Sequence, residues 1–353
     1  MQGLGELFML GFTDQNLSFV EEWAREEGLG GAILFARNLG APQAIAALTD
    51  RLRRLTPDLP PLIAVDQEGG RVARLAEPFT LWPPARALGR LGSEDLAFHV
   101  GQAMGAELAG AGFTMDMAPV LDVDTNAANP IIGDRSFGGD PALVGRLGSA
   151  FARGLTEAGV LPVGKHFPGH GDTAADSHLT LPVVPHGRDR LLSVEVAPFR
   201  AAAPHLPAVM TAHVLYPGLD AEHPATLSAG ILTGLLRTEI GYDGLVISDD
   251  LEMAGIAHRW PAGEAACRFL AAGGDLVLVC HRPEFQREAL AALRRAAGRG
   301  EIPASRLEEA RERVRRARSQ AAAAAARPRP PLPGPEGLAA HRALAARLAG
   351  RPA

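Results

Sequence analysis

The sequence has few cysteines and no long apolar run, and both absences restrict the class of protein. Among its 353 residues only Cys267 and Cys280 are cysteines, and each has apolar neighbours. We expect two buried free thiols, not the disulfide framework of a small secreted domain. No apolar run has the length of a membrane-spanning helix, and the first residues lack the basic and apolar regions of a signal peptide. A cytoplasmic location is therefore expected.

Excess positive charge and the common cofactor motifs are absent as well. The formal net charge is -5 at pH 7, which gives no reason to expect nucleic acid or an anionic membrane as a partner. The sequence contains no glycine-rich dinucleotide motif and no phosphate-binding loop, so no cofactor is expected. We expect a monomer that acts on a small molecule.

Short apolar segments alternate with helical patterns along most of the chain. The helical patterns include residues 43–55, 94–109, 142–157 and 284–297. The apolar segments are residues 7–11, 32–35, 62–65, 114–119, 161–164, 208–212, 245–248 and 276–280. Alternating strands and helices predict parallel pairing through right-handed crossovers. Eight such units favour an α/β fold, a (β/α)8 TIM-type barrel with a single catalytic domain. An open sheet stays an alternative, because strand order cannot be read from sequence.

Polar residues follow several of these segments. Asp66, Lys165, His166, His213 and Asp249 each lie at or just past the carboxyl end of one segment. Barrel enzymes place their chemistry on that face of the barrel.

The end of the chain has a different composition. Ser305-Arg306-Leu307-Glu308 has the pattern of a capping box, and apolar residues at helical spacing predict an added outer helix up to residue 317. Six alanines and a proline-rich stretch follow, which is typical of a linker. We assign residues 1–318 to the catalytic barrel with this helix, and residues 319–353 to a linker and a short tail. Residues 341–348 could form a short helix.

Residues 165–172 concentrate titratable side chains among glycines and a proline. Glycine and proline fix unusual backbone angles, so we predict a shaped loop rather than a helix or a strand. Loops of this kind often carry catalysis. Shortly after it, His178 is a candidate acid/base because the unperturbed pKa of histidine lies near neutrality, and Asp176 could orient its ring. A structural Asp-Ser-His turn is the alternative.

Two carboxylates, Asp249 and Asp250, end a buried apolar segment, where they are costly unless paired or used. We assign Asp249 as a nucleophile and Asp250 as the cap of the following helix, although the sequence alone allows an exchange of these roles. Asp66 and Arg74 flank two glycines that let the backbone approach a ligand, and a carboxylate with an arginine suits sugar hydroxyls. Arg135, in a long loop, could reach the same site. Salt-bridged structural turns are the alternative for all three.

A metal-dependent hydrolase is the main competing interpretation. His166, His170, Asp172 and His178 could bind zinc or iron. Their spacing matches no common ligand signature, and neither His-Glu-x-x-His nor paired Cys-x-x-Cys occurs. We therefore expect no metal. A sugar-binding protein without turnover is the non-enzymatic alternative.

Four segments together resemble glycoside hydrolase family 3. They are Ala-Val-Asp-Gln-Glu-Gly-Gly-Arg-Val at 64–72, residues 129–137, Lys-His-Phe-Pro-Gly-His-Gly-Asp-Thr at 165–173 with Asp-Ser-His at 176–178, and residues 246–253. More narrowly, they are similar to the β-N-acetylhexosaminidase branch, bacterial enzymes of peptidoglycan recycling. The resemblance covers residues 5–300. It implies that Asp249 is the nucleophile and His178 the general acid/base, with Asp176 its dyad partner on a mobile loop. The implied sugar-holding residues are Asp66, Arg74, Arg135, Lys165 and His166.

The resemblance also implies a reaction. The expected enzyme is an exo-β-N-acetylglucosaminidase that releases terminal β-linked N-acetylglucosamine from muropeptide-like fragments carrying 1,6-anhydro-N-acetylmuramic acid. Configuration is retained through a covalent glycosyl-aspartate, with His178 first as acid and then as base. A phosphorylase is the alternative, because a neutral imidazole repels phosphate less than a carboxylate does.

One departure from the family pattern concerns the tail. Many relatives carry a second α/β domain after the barrel, and here only residues 341–348 resemble its lead-in. Residues 319–353 are then either the tail of a one-domain member or the remnant of a lost second domain. Because the implied acid/base lies within the barrel, we expect the chemistry to be intact.

Overall fold

The fold is built on eight short parallel strands. The computed structural model describes residues 3–56, 58–174, 181–326, 332 and 334–350. The strands are β1 Phe8–Gly11, β2 Gly31–Leu34, β3 Leu62–Val65, β4 Met115–Asp116, β5 Leu161–Phe167, β6 Ala208–Thr211, β7 Leu245–Ile247 and β8 Val277–Val279. Every residue of these strands is buried. Strands covered on both faces read as continuous apolar runs, which is why all eight could be predicted.

The strands follow one another around a nearly closed barrel. Their order in the sheet is β8-β1-β2-β3-β4-β5-β6-β7, and every pair is parallel. A parallel bridge from Ile247 to Leu276 then joins β7 to the residue before β8. The predicted (β/α)8 barrel is therefore confirmed, and the open sheet is excluded.

Helices surround the strands. They are α1 Leu17–Glu27, α2 Pro42–Arg53, α3 Ala85–Leu91, α4 Glu94–Ala111, α5 Pro141–Glu157, α6 Arg188–Ser193, α7 Ala197–Ala202, α8 Ala254–Ala257, α9 Ala262–Ala272, α10 Pro283–Gly298, α11 Ala304–Ala325 and α12 Pro335–Leu348. A π-helical stretch, Gly230–Glu239, covers the sheet between β6 and β7. In the described part of the chain, no helix combines the length and the apolar character needed to cross a membrane.

Three local predictions were wrong. The loop predicted to begin at Lys165 begins later, because β5 continues to Phe167 with a register shift against β6. Ser305 caps no helix, since α11 begins at Ala304 after Pro303 without a side-chain cap. The alanine run is not a linker but the last part of α11, because alanine has the highest helix propensity.

The structure also bears on the predictions for the two thiols and for the last helices of the chain. Cys267 and Cys280 are both free, as expected, but only Cys280 is fully buried. The outer helix predicted to residue 317 is present as α11, with its apolar positions buried. The short helix considered for 341–348 begins earlier, at Pro335. The domain boundary at 318/319 stays a prediction.

Candidate active site

A cavity of about 420 Å³ opens at the carboxyl ends of the barrel strands. This volume lies in the range of small-molecule sites, and the position is where barrel enzymes act. The structure brings together six of the predicted site residues in its wall: Asp66, Arg74, Arg135, Lys165, His166 and Asp249. Asp176 and His178 lie outside the described residues, so their roles stay predictions.

A buried ion cluster forms one side of the cavity. Lys165 Nζ donates to Asp66 Oδ1 at 2.8 Å and lies 2.7 Å from Glu68 Oε1. Arg135 donates to both carboxylate oxygens of Glu68, each at 2.8 Å, which is the bidentate geometry that suits a guanidinium. The Lys165 and Glu68 side chains are only 3% and 4% exposed. Because both side chains are shielded from bulk solvent, each charge depends on its partners.

The ionisation of this cluster follows from burial and pairing. Burial alone would raise the pKa of Glu68, but the charges of Arg135 and Lys165 outweigh it and hold that pKa well below its ordinary value. Burial opposes the charge of Lys165 as well, yet Asp66 and Glu68 raise its pKa above the ordinary value. Glu68 and Lys165 are therefore both charged at neutral pH.

A small hairpin aims Arg74 at the cavity. Gln67–Gly69 pairs with Val72–Ala73, and both glycines of the turn, Gly69 and Gly70, have positive φ angles that favour glycine. The Gln67 amide oxygen accepts from the backbone N–H of Arg74 at 2.9 Å. The Arg74 guanidinium lies 3.4 Å from the second oxygen of Asp66. The paired glycines thus serve the turn that joins these two side chains.

Asp122 supports the histidine side of the cavity. It is fully buried, and its Oδ2 lies 2.7 Å from His166 Nδ1. Its Oδ1 accepts from the backbone N–H groups of His166 and His170 at 3.1 and 2.7 Å. Burial opposes ionisation, but His166 and these hydrogen bonds lower the pKa of Asp122. The carboxylate therefore fixes the orientation of the His166 ring.

His170 is held in the neutral form beside His166. Burial and the neighbouring His166 lower the pKa of His170 to about 4. Its Nδ1 lies 2.9 Å from the hydroxyl of Thr173. Asn129 ties this segment to the loop after β4, because its amide nitrogen donates to the carbonyls of His170 and Gly171 at 2.9 and 3.0 Å.

Asp249 faces the cavity just past the end of β7. Burial would raise its pKa, but the interactions with the neighbouring His213 and His166 and with the Asp250 backbone N–H lower it below the ordinary value. That N–H donates to Asp249 Oδ1 at 2.8 Å. The carboxylate is thus ionised and partly exposed, as a nucleophile must be.

Asp250 has a different environment, although it does not cap a helix as predicted. Its Oδ1 accepts from the backbone N–H groups of Glu252 and Cys280 at 3.1 and 3.2 Å. α8 begins only at Ala254, after a Met253 cap. Asp250 therefore joins the turn after β7 to the end of β8. Its backbone carbonyl also lies 3.0 Å from His213 Nε2.

From the sequence alone, Glu68 and Asp122 were not assigned to this site, and His170 was named only as a possible metal ligand. Glu68 lies in the segment 64–72 that carries the family resemblance. Its neighbour Asp66, which was assigned to the sugar site, gave the only indication that Glu68 also belongs there. Asp122 carries no local signal, because its partner His166 is 44 residues away in the chain. Within the described residues no group of three or more potential metal ligands is gathered.

Comparison with known proteins identifies the family. Residues 2–317 match the model of the glycosyl hydrolase family 3 N terminal domain. A beta-hexosaminidase of Pseudomonas aeruginosa is 42% identical over 291 residues, which cover 81% of this chain and 85% of that protein. A family 3 beta-N-acetylglucosaminidase from a Paenibacillus species superposes with a TM-score of 0.92 at 41% identity, covering 98% of this chain and 67% of that one.

A shorter relative matches along nearly its whole length. NagZ from Neisseria gonorrhoeae, solved with N-trifluoroacetyl-D-glucosamine, superposes with a TM-score of 0.78 at 33% identity. The match covers 97% of this chain and 98% of that one. The family match, the barrel and the charged cavity lead to one conclusion: the chain belongs to glycosyl hydrolase family 3 and is a glycosidase.

Proposed function

We propose that this glycosidase is a retaining exo-β-N-acetylglucosaminidase of peptidoglycan recycling. Its substrate would be a muropeptide-like fragment with N-acetylglucosamine at the non-reducing end and 1,6-anhydro-N-acetylmuramic acid as the leaving group. The observation that carries the proposal is the presence of ionised Asp249 in the same cavity as the Asp66–Lys165–Arg135 cluster. The cytoplasmic location and the monomeric state stay predictions.

The charged cluster suits the hydroxyl groups of a terminal sugar. Asp66 offers carboxylate oxygens as acceptors, while Lys165 and Arg74 offer N–H donors on the same side of the cavity. A hydroxyl both donates and accepts, so such a pair can hold it in one orientation. The names of the relatives support an amino sugar, since one is a β-N-acetylglucosaminidase and another was solved with an N-acylated glucosamine.

Asp249 would be the nucleophile of the first step. Its carboxylate attacks the anomeric carbon while the acid protonates the leaving oxygen, which gives a covalent glycosyl-aspartate. The nearby His166 and Lys165 keep Asp249 ionised, because they favour its negative charge. Water then attacks the same carbon from the face that the leaving group vacated, so the configuration is retained.

His178, with Asp176 as its partner, would be the acid/base. The structure describes the chain up to Ala174 and again from residue 181, and the Thr173 hydroxyl contacts His170, which lines the cavity. Five residues span at most about 18 Å, a chain length that allows a side chain at position 178 to approach a sugar bound in the cavity. This distance supports the proposal that the imidazole protonates the glycosidic oxygen.

A panel of aryl β-glycosides tests the substrate. We expect turnover of the N-acetylglucosaminide at a rate roughly 100-fold or more above the glucoside and xyloside. A site built to hydrogen-bond a substrate N–H can discriminate by roughly 10⁴-fold against an analogue that lacks it. NMR of the first product should show the β-anomer. Equal rates on all three glycosides, or an α-product, would refute the proposal.

Asp249→Asn tests the nucleophile with little change in shape. The variant should lose roughly 10³-fold or more in kcat, because the amide cannot form the glycosyl-enzyme. The matched control is Asp58→Asn, which changes an exposed aspartate and should keep the parent rate. A near-native rate in Asp249→Asn would contradict the proposed mechanism.

Phosphorolysis is the alternative outcome of the second step. In phosphate buffer a phosphorylase would form N-acetylglucosamine-1-phosphate, whereas a hydrolase releases free N-acetylglucosamine. We expect the free sugar alone, and ³¹P NMR of the reaction mixture decides between the two.

A further inference from the structure

The C-terminal helix α12 packs on the barrel through one apolar face. Leu338, Ala345 and Leu348 are buried, and the last two belong to the main hydrophobic core. On the same helix His341 Nδ1 lies 2.7 Å from Glu107 Oε1, a carboxylate of α4 whose side chain is only 3% exposed. These contacts attach α12 to the barrel.

The partner of α12 is the chain segment 78–84. The Arg342 guanidinium donates to the Pro78 carbonyl at 2.5 Å. Glu107 connects the helix to the same segment, because its second oxygen accepts from the Thr80 backbone N–H at 2.8 Å. The His341 and Trp82 rings lie 6.1 Å apart. Three separate contacts thus fix this segment.

Segment 78–84 in turn supports the glycine turn next to the sugar site. The Gly70 N–H donates to the Trp82 carbonyl at 2.8 Å. A Cβ on Gly69 would lie 2.6 Å from the Pro83 carbonyl oxygen, and one on Gly70 would lie 2.8 Å from Pro84 Cβ. With so little space, a shift of the segment must move the turn.

The glycine turn directly follows Glu68, whose carboxylate binds Arg135 and Lys165. Leu348 also comes close to this cluster, because Glu68, Arg135, Pro83 and Leu348 border one void of about 20 Å³. Such a void holds no more than a single water. Leu348 of α12 therefore lines the same void as Glu68 and Arg135, and these two side chains also line the active-site cavity.

We propose that α12 is a positioning element of the sugar site. Arg342 and His341 contact segment 78–84, and Leu348 borders the same void as its Pro83. This segment in turn holds the turn that places Glu68. Glu68 then fixes the donors of Arg135 and Lys165 at the distances a sugar requires. The inference depends on the proposed function in one respect, since it takes this cluster as the group that binds the sugar.

Two buried helical leucines provide a matched test in the full-length chain. Leu348→Ala and Leu307→Ala each remove the same atoms, from α12 and from α11, and each lowers Tm. We expect Leu348→Ala to raise KM for an aryl N-acetylglucosaminide by roughly tenfold at a temperature where both variants are folded, because small misplacements of binding groups cost that much or more. Leu307→Ala should stay within about twofold of the parent KM. Leu348→Met, which conserves volume, should restore KM.

Hydrogen exchange at the Gly70 amide measures the effect of α12 on the glycine turn without any substrate. We expect faster exchange in Leu348→Ala than in Leu307→Ala at equal distance below Tm. If the protein proved to act on another sugar, the proposed function would fail while this measurement still decided the role of α12. Equal exchange at Gly70 in the two variants, or equal KM values, overturns the inference.

Discussion

Replacing Glu68 by glutamine tests whether the buried ion cluster stabilises the protein as its geometry indicates. Three contacts of 2.7 to 2.8 Å join this carboxylate to Arg135 and Lys165. Glutamine has nearly the same shape, but it removes the negative charge and places an N–H group where one oxygen accepted. Arg135 then stays buried without its carboxylate partner, and Lys165 keeps only its contact with Asp66 from the two carboxylates described above.

The expected loss follows from the number and burial of these contacts. A hydrogen bond to a charged group contributes about 1.5–3 kcal/mol net, and the glutamine oxygen retains part of that. Removing one partner of a buried ion pair costs about 3–5 kcal/mol, and we expect Glu68→Gln to lower the free energy of unfolding by this amount. Urea denaturation at pH 7 measures it. A loss below about 1 kcal/mol, which is typical of exposed pairs, would refute the reasoning.

Two further variants test whether the loss of stability comes from the buried ion cluster. Glu301→Gln breaks the exposed Arg299–Glu301 pair, and it should leave the free energy of unfolding almost unchanged. Adding Lys165→Met to Glu68→Gln removes one of the unbalanced cations, so the double variant should be more stable than the sum of the single effects predicts. Additive effects would mean that the two charges do not interact.

The acid dependence of the Glu68 contribution has a defined sign. The pKa of Glu68 is lower in the folded protein than its ordinary value of 4.5, so folding favours the ionised form. The stability difference between the parent and Glu68→Gln should therefore be complete above pH 4.5. It should shrink only as the pH falls toward the lowered pKa. A difference that already shrinks near pH 6 would contradict the assignment.

Three other predictions concern neighbouring groups. Burial raises the pKa of Asp116 well above its ordinary value and so favours the neutral form, and the uncharged Asp116→Asn should therefore keep the parent kcat/KM. Asp116→Ala leaves the Gln67 N–H unpaired and should cost about 1–3 kcal/mol in urea unfolding. The pKa of His170 is about 4 in the folded protein against 6.5 ordinarily, so stability should fall as the pH drops from 6.5 toward 4, and His170→Gln should fall less over that range. Dialysis against EDTA should leave the rate unchanged; inactivation with rescue by zinc would instead favour a metal-dependent hydrolase.

The barrel could be predicted because its strands are buried on both faces and therefore apolar throughout. Alternation with helices then specified parallel pairing. Lys165 and His166 were misplaced as loop residues, since charged and polar side chains rarely occupy a buried strand. They are tolerated on β5 only because Asp66, Glu68 and Asp122 supply opposite charges there. The partner of Lys165 lies 99 residues earlier in the chain, and no local pattern contains that information.

Site residues could be predicted from the sequence when a reactive side chain lay within a recognisable motif of a single segment. Asp66 and Asp249 end apolar segments, and this position alone indicated the mouth of the barrel. Asp122 and the contacts of α12 depend on the packing of distant segments, so neither spacing nor composition pointed to them. The linker prediction failed at the alanines for the opposite reason, because a local helix preference was interpreted as an absence of structure.

The sheet order has a consequence for how the protein is made. β1 lies between β2 and β8, and Phe8 pairs with Val277 near the other end of the barrel sequence. During synthesis the edge of β1 that pairs with β8 therefore stays unpaired until β8 has left the ribosome. Unpaired edges of apolar strands promote aggregation. Slow translation or early termination before residue 279 should therefore yield nascent chains that depend on chaperones.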